Sequence, residues 1–532
     1  MDSEKKSIQT GNFILVLVAM VMGVLIGLMF AENGKHHTGP ATLQGKMDEV
    51  LQLVEEEYVD RVDTDSLSEH LVAVMLSELD PHSTYLSARE TERANELMRG
   101  NFEGVGLVLH REGDTTYVGQ VMAGGPSAGS GILPGDMILA VDGDTVSGVG
   151  MPADSVVARL RGPQRSTVDI TIQRSLPDAR QALPAKHFTI RRGVIEHKSL
   201  PFSTMIDDTT GYILLSTFSN TSHDEFRQAL AALKAQGLRH LILDLRGNGG
   251  GSLGSAVGIA GELLPRGSLI VYTQGEHSRR RDVRAPGGGL FTQGRVTVMI
   301  DESSASASEV VSGALQDNDR ATVVGRRSFG KGLVQTEFSL ADGSSVLLTT
   351  ARYYTPSGRC IQRAYSEGTD EYYRSYMQQL ISEAYADTAA AADTTPYYTV
   401  SGRVVYGGGG IKPDVIMPYR KDSTFIYYNR LASAGILNRV AFDHVKRHAG
   451  ELLAQYADGD DFCRRFTVSD KMIDEVAARG EGAGIGRDSH SLRAQRHLMA
   501  NTMKAYIGQS LYGDRVFYRI VMQEDEDLKK IR

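Results

Sequence analysis

Apolar positions fall into several distinct patterns along the chain. From Asn12 to Ala31 the stretch NFILVLVAMVMGVLIGLMFA carries no charge, and about twenty such residues are enough to cross the ~30 Å of a bilayer's hydrocarbon. MDEVLQLVEEEYVD and SLSEHLVAVMLSELD then space apolar residues three and four apart. That spacing predicts two amphipathic helices, the second ending at Asp80-Pro81 because proline cannot continue the turn; a further helix is expected over 88–99. Between 101 and 192, short runs (GLVLH, TYVGQVM, MILAVDG, VDITIQR) alternate with Gly- and Pro-containing turns. This is the pattern of a small, partly open β domain, with one short helix at 156–160. From 194 to 418, strand-like runs (GYILLST, HLILDL, SLIVYT, RVTVMI, ATVVG, SSVLLTT) alternate with helical stretches (HDEFRQALAALKAQG, SLGSAVGIAGELL, SASEVVSGALQD). Such alternation argues for an α/β core. A polar, Ala-, Asp- and Thr-rich stretch near 365–395 interrupts that core like an insertion, and helical periodicity dominates 424–532. The expected class is therefore multidomain α/β, with helical regions at 45–100 and 424–532 flanking a β domain at 101–192 and a core at 194–418.

With 532 residues, the chain exceeds the roughly 250–300 that one hydrophobic core supports, in keeping with several units. The net charge of −8 and the lack of long basic runs exclude the electrostatic footprint of a nucleic-acid binder. Lys5 and Lys6 precede the apolar N-terminal stretch, an order shared by signal anchors and cleavable signals. The stretch is longer than the ~7–15 residues of a cleaved apolar region, and Met29-Phe30-Ala31 lacks a small-x-small site. A retained single-pass anchor at 12–31 is thus expected, with residues 1–11 cytoplasmic and the remainder of the chain in the periplasm or another extracytoplasmic space. Cys360 and Cys463 are the only cysteines, too few for a disulfide scaffold, and the sequence leaves their pairing open. No His-x-x-His or His-Glu-x-x-His arrangement offers a metal site, so neither metal nor cofactor is expected.

Chemistry concentrates between Arg295 and Gln335. VTVMI reads as a buried strand, small residues form a turn, and SEVVSGALQD opens a helix. A serine at such a turn is exposed beside free N–H groups and positive potential, the conditions of an acyl-transfer nucleophile. Ser306-Ala307-Ser308-Glu309 equally fits a capping box, in which serine and glutamate only tie off the helix start. SFGKGLVQ, however, sets Lys331 between two glycines in an apolar neighbourhood. A buried lysine loses its proton readily and can act as a general base without histidine. HLILDLRGNGGGS ends a strand in a glycine cluster whose bare N–H groups could meet a developing oxyanion; the Gly-Lys-Ser/Thr ending of a nucleotide-binding loop is missing.

Two resemblances add to this reading. FEGVGL (102–107), GGPSAGSGILPGDMILAVDG (124–143) and LRGPQRSTVDITIQR (160–174) together resemble a PDZ domain. In such a domain Gly104, Val105, Gly106 and Leu107 would bind substrate, a nest of N–H groups taking a C-terminal carboxylate while the strand edge accepts an extended peptide. LDLRGNGGG, SSASASEVVSGALQD and SFGKGLVQ, downstream of it, resemble the carboxyl-terminal processing (tail-specific) proteases of the S41 peptidase family. The resemblance implies a crotonase/ClpP-like core with Ser306 as nucleophile, Lys331 as general base, Gln335 positioning the lysine, and main-chain oxyanion donors at Ala307 and Gly250. Gly249 stands where the family usually has proline, which leaves open which glycine of 249–251 donates. LDPHSTYL (79–86) and YGGGGIKPD (406–414) also look like family elements without pointing to a catalytic side chain. Arg161, in the LRGP turn, is a coupling candidate through which the PDZ domain would gate the site. Implied partners are proteins or peptides with exposed C-terminal tails, with an adaptor protein and a homo-oligomer both left open. A catalytically inactive PDZ scaffold or a chaperone that binds protein C-termini is the alternative.

Overall fold

The structure is a computed structural model and describes residues 42–174, 183–385, 395–419 and 422–531. The span expected at 12–31 lies outside the described residues. Among those described, no helix is long and apolar enough to cross a membrane. The chain divides into two compact units, Met1–Met75 and Leu76–Arg532. In the first, helix Leu43–Glu57 starts on Thr42, whose side chain accepts the Gly45 N–H. Its Met47, Val50 and Leu53 are exposed.

Within the second unit the α/β core is built on a six-stranded sheet. Its strands run in the order Phe202–Met205, Thr210–Leu214, His240–Asp244, Arg295–Ile300, Thr322–Gly325 and Val415–Ile416. All neighbours are parallel except the first pair. Parallel strands are covered on both faces and so read as continuous apolar runs; all of His240–Asp244 is buried, as is every residue of Arg295–Ile300 after the first. Helices Ser222–Ala235, Leu253–Leu263 and Ala307–Asp317 carry buried side chains into the same cluster, which includes Phe226, Ile259, Val311 and Leu243. A second sheet joins Thr84–Leu86, Ser345–Tyr354, Leu269–Gly275 and Ser278–Arg284 in that order, and Leu333–Ser339 also pairs with Ser345–Tyr354.

The β domain has strands Leu107–Glu112, Thr115–Val121, Met137–Val141, Thr167–Gln173 and Lys186–Arg191 in sheet order, with helix Ala153–Leu160 closing its core on Val156 and Leu160. The first of these strands is a sheet edge. The stretch that looked like an insertion is ordered over Thr369–Tyr385 as a helix. Tyr372 is buried, and Tyr376 lies 4.9 Å from Phe329, centroid to centroid. Its remainder, 386–394, is outside the described residues. The C-terminal helices share one core, including Leu431, Val440, Phe462, Val476 and Met503. They reach the β domain through Phe442, 3.9 Å from the His110 ring, and through Lys446, 2.5 Å from Glu112. The last helix, Glu526–Ile531, buries Leu528 and Ile531 against Phe202, Ile242 and Met299 of the core.

Candidate active site

Strand Arg295–Ile300 delivers the chain into a turn, and Ser306 precedes helix Ala307–Asp317 with φ 55° and ψ −111°. A positive φ on a residue with a side chain is uncommon and strained, so the surrounding bonds must hold it. Ser304 donates its hydroxyl to the Leu245 carbonyl (2.8 Å) and Ser308 its own to the Asn248 carbonyl (2.8 Å). Among the described residues the Ser306 hydroxyl donates to no such carbonyl, in contrast to Ser304 and Ser308. Asn248 is the centre of the turn's support. Its carbonyl also accepts the Ala305 N–H at 3.0 Å, and its buried side chain donates to Leu215 and accepts from Gly250.

Glu309 does more than the capping box suggests. It accepts the Ser306 N–H (2.8 Å) and the Lys331 N–H (2.9 Å) on the same oxygen, Oε2. Oε1 takes the Gly330 N–H at 2.8 Å and the Ser328 hydroxyl at 2.6 Å. The main chains at 306 and 331 are therefore separated by no more than two hydrogen bonds laid end to end. Tyr353 closes the other side. Its hydroxyl donates to the Lys331 carbonyl at 2.6 Å and lies 3.2 Å from the Ser306 carbonyl. Burial pushes the Glu309 carboxyl up to about 7 against its four donors.

Lys331 is held down from the usual lysine range by burial, an effect opposed by the charges of Glu309 and Asp80. Aromatic rings shield this region: Phe329 packs 6.2 Å from His82 and 6.3 Å from Tyr372. Among the described residues no hydrogen bond joins the Ser306 hydroxyl to the Lys331 amine. The structure thus brings the two main-chain segments together without an aligned pair, a common state of active sites without substrate. Gln335 donates to the Thr349 hydroxyl at 3.2 Å and has no bond to Lys331.

The glycine cluster faces the serine. A Cβ on Gly250, whose φ is +100°, would sit 2.7 Å from the Ala305 carbonyl oxygen and 2.9 Å from Ser306 Cβ. The Gly250 N–H is committed to Asn248 Oδ1 at 2.9 Å, so the role visible for Gly250 is close approach. The Ala307 N–H has no partner among the described residues and opens the helix beside Ser306. Asn248 and Glu309 were missed as supports by sequence reasoning, although RGNGGG contains the first and SASE the second. The only signal was their position beside the suspected chemistry.

In the β domain, Gly104 forms the end of strand Asn101–Gly104. The Val105 carbonyl accepts the Ser127 N–H and hydroxyl at 3.0 and 2.7 Å, and the Gly106 carbonyl accepts the Met122 N–H at 3.0 Å. Gly106 has φ +74°, and a Cβ there would come within 3.1 Å of Pro126. Leu107 begins the edge strand and pairs with Val121. Arg161 forms an ion pair with Glu96 of helix Ala88–Arg99 and stacks 4.9 Å over the Phe102 ring. Cys360 and Cys463 are free thiols. Among the described residues no cluster of His, Cys, Asp or Glu could hold a metal ion.

Comparison with known proteins gives three matching families. A model described as peptidase family S41 matches residues 209–371, a PDZ domain model 96–173, and a family of unknown function, DUF8443, 427–513. A probable CtpA-like serine protease of Staphylococcus epidermidis (strain ATCC 12228 / FDA PCI 1200) is 31% identical over 371 residues, 68% of this chain and 73% of that protein. A protein of the same description from Staphylococcus aureus (strain MSSA476) is 30% identical over 68% of this chain and 72% of its own. Among solved structures, the photosystem II D1 C-terminal processing protease covers 71% of this chain and 87% of its own at 26% identity, with a TM-score of 0.36.

Proposed function

This chain belongs to peptidase family S41 as a CtpA-like serine peptidase carrying a PDZ domain, and from that premise we propose that it cleaves proteins or peptides near their C-terminal tails by a Ser306–Lys331 dyad. Neutral Lys331 accepts the Ser306 hydroxyl proton, Ser306 attacks the scissile carbonyl, and water later releases the acyl group. The Ala307 N–H is one oxyanion donor. A glycine of 249–251 is the second, and for Gly250 this requires its N–H to leave Asn248. Gln335 positions Lys331 once substrate aligns the site. The PDZ edge strand Leu107–Glu112 takes the substrate tail by strand addition, with the Gly104–Leu107 loop meeting its carboxylate. Arg161 couples that loop to helix Ala88–Arg99 through Glu96. The anchor at 12–31 places the enzyme at the cytoplasmic membrane facing outward.

One observation carries this reading: a single oxygen, Glu309 Oε2, receives the N–H groups of both Ser306 and Lys331. The test is to incubate wild type, Ser306→Ala and Lys331→Ala with an unstructured reporter ending in a free or an amidated C-terminus. Fragments from wild type alone, fewer from the amidated reporter, are expected. Cleavage that survives both substitutions refutes the dyad, and tail binding without any cleavage favours the scaffold or chaperone reading.

A further inference from the structure

The LDPHSTYL segment lies against the catalytic loop, and nothing in the mechanism above uses it. Its turn is built on Asp80. Oδ1 accepts the His82 and Ser83 N–H groups at 2.8 Å each, and Oδ2 accepts the Ser83 hydroxyl at 2.6 Å. The same Ser83 hydroxyl oxygen accepts the Thr349 N–H at 3.1 Å, extending the pairing of strand Thr84–Leu86 with Ser345–Tyr354. Thr349 Oγ1 in turn accepts from the Gln335 amide at 3.2 Å. Hydrogen bonds thus tie the buried Asp80 carboxylate through Ser83 to the main chain of Thr349, whose side chain holds the residue expected to orient Lys331.

We propose, resting on the assignment of Lys331 as the base, that Asp80 is a positioning residue of this peptidase: its carboxylate stabilises the ammonium formed at Lys331 and, through Ser83 and Thr349, orients Gln335 toward it. When Ser306 gives its proton to Lys331, the nitrogen becomes cationic in a place screened from water. Asp80 takes no proton and remains the counter-charge.

The groups around Lys331 support this division of labour. Glu309 and Asp80 are the two anions acting on the amine. Although burial opposes it, Asp80 is held below the usual carboxylate range by the Ser83 hydroxyl and the His82 and Ser83 N–H groups. His82, bonded to the Tyr372 hydroxyl at 3.2 Å, is pushed down to about 4 by burial and by Lys331, so it is neutral when the enzyme works. Tyr353 and Tyr372 are both raised by burial and stay uncharged. Arg363, whose guanidinium donates to the Phe329 carbonyl at 3.0 Å, and the buried Arg327 are cations of the same loop region. Asp80 is therefore the second anion, beside Glu309, that favours the charged amine.

The test uses the full-length chain in detergent with carbon-13 at lysine Cε, in a Ser306→Ala background, the Lys331 resonance being assigned by its loss in Lys331→Arg. Asp80→Asn keeps the acceptor for the turn and removes the charge, and should lower the Lys331 titration midpoint by roughly half a unit or more. Asp80→Glu should leave the midpoint near that of its parent. In enzymes retaining Ser306, Asp80→Asn should also move the acid limb of kcat/KM to lower pH by the same amount while reducing kcat, a shift that a merely structural role would not produce. An unmoved midpoint with intact Lys331-dependent activity overturns the role of Asp80 alone. A midpoint that moves while the activity limb stays fixed overturns Lys331 as base, and the positioning role with it. Should Asp80→Asn fail to fold, Thr349→Val and Gln335→Ala replace it: losses in kcat that are not additive in the double variant support the chain of bonds, and additive losses overturn it.

Discussion

Replacing Glu309 by glutamine removes a buried charge and one acceptor oxygen while leaving the side-chain volume almost unchanged. The amide can turn its oxygen toward the Ser306 and Lys331 N–H groups and its nitrogen toward Ser328, whose hydroxyl can reverse and accept. The Gly330 N–H, now 2.8 Å from Glu309 Oε1, is then left facing another donor, and an orphaned buried donor costs about 1–3 kcal/mol. Against this stands the relief of burying a carboxylate. Its folded value is about 7 and its ordinary value 4.5. Between these values the folded state holds a proton that the unfolded state has released, so stability falls as pH rises through the window and is level above it. The difference amounts to about 3 kcal/mol at ~1.4 kcal/mol per pH unit. The stability of a Ser306→Ala parent minus that of the same chain carrying Glu309→Gln should therefore decline by about 3 kcal/mol from pH 4.5 to 7 and then stay constant, as read from urea unfolding at a series of pH values. Activity at pH 8 should be lower in the glutamine variant of the Ser306 enzyme, because the Lys331 loop has lost one of its ties to the nucleophile. Parallel stability curves for the two chains would refute the claim that a buried, reluctantly ionised glutamate joins the two segments.

Other consequences are open to direct measurement. Because burial holds Lys331 below the usual lysine range, kcat/KM should rise with pH through a midpoint below that of an ordinary lysine. Lys331→Arg should abolish turnover at every pH tested, since arginine does not give up its proton. Gly250→Ala places a methyl 2.7 Å from the Ala305 carbonyl oxygen and should reduce kcat/KM by about 100-fold through displacement of Ser306, with circular dichroism unchanged; near-normal activity would show that the loop yields. Asp525→Ala removes a carboxylate 2.5 Å from Arg246, at the base of the glycine cluster. It should destabilise the chain by about 1–3 kcal/mol in urea unfolding.

The sequence made legible those features whose cause is local. The buried run HLILD became a fully buried central strand, and the strand–turn–helix around Ser306 formed where small residues and apolar spacing indicated. SASE shows the limit of that reasoning. The tetrapeptide does start a helix, yet the same carboxylate reaches 22 residues ahead to the Lys331 N–H, and no spacing rule carries information about a loop brought in from another strand. Asp80 was hidden in the same way. As the residue before a proline it reads as a helix stop, and only the pairing of Thr84–Leu86 with Ser345–Tyr354 sets it near the catalytic loop. The helix Thr369–Tyr385 was obscured by the polar, Ala-, Asp- and Thr-rich composition of the stretch around it, while Tyr372 and Tyr376, spaced one turn apart, face Phe329.

The C-terminal helices press this reasoning further, because their sequence carries no chemical motif and yet they touch both parts of the machine. Phe442 and Lys446 pack on His110 and Glu112 of the β domain's edge strand. At the far end, Asp525 and Asp527 approach Arg246, which is also paired with Asp244 at 2.6 Å and sits two residues before the buried Asn248. An interior packed as densely as a crystal transmits displacement instead of absorbing it. The edge strand proposed to take a substrate tail and the loop proposed to meet the oxyanion are therefore both held by the C-terminal helices, through Phe442 and Lys446 on one side and Asp525 on the other.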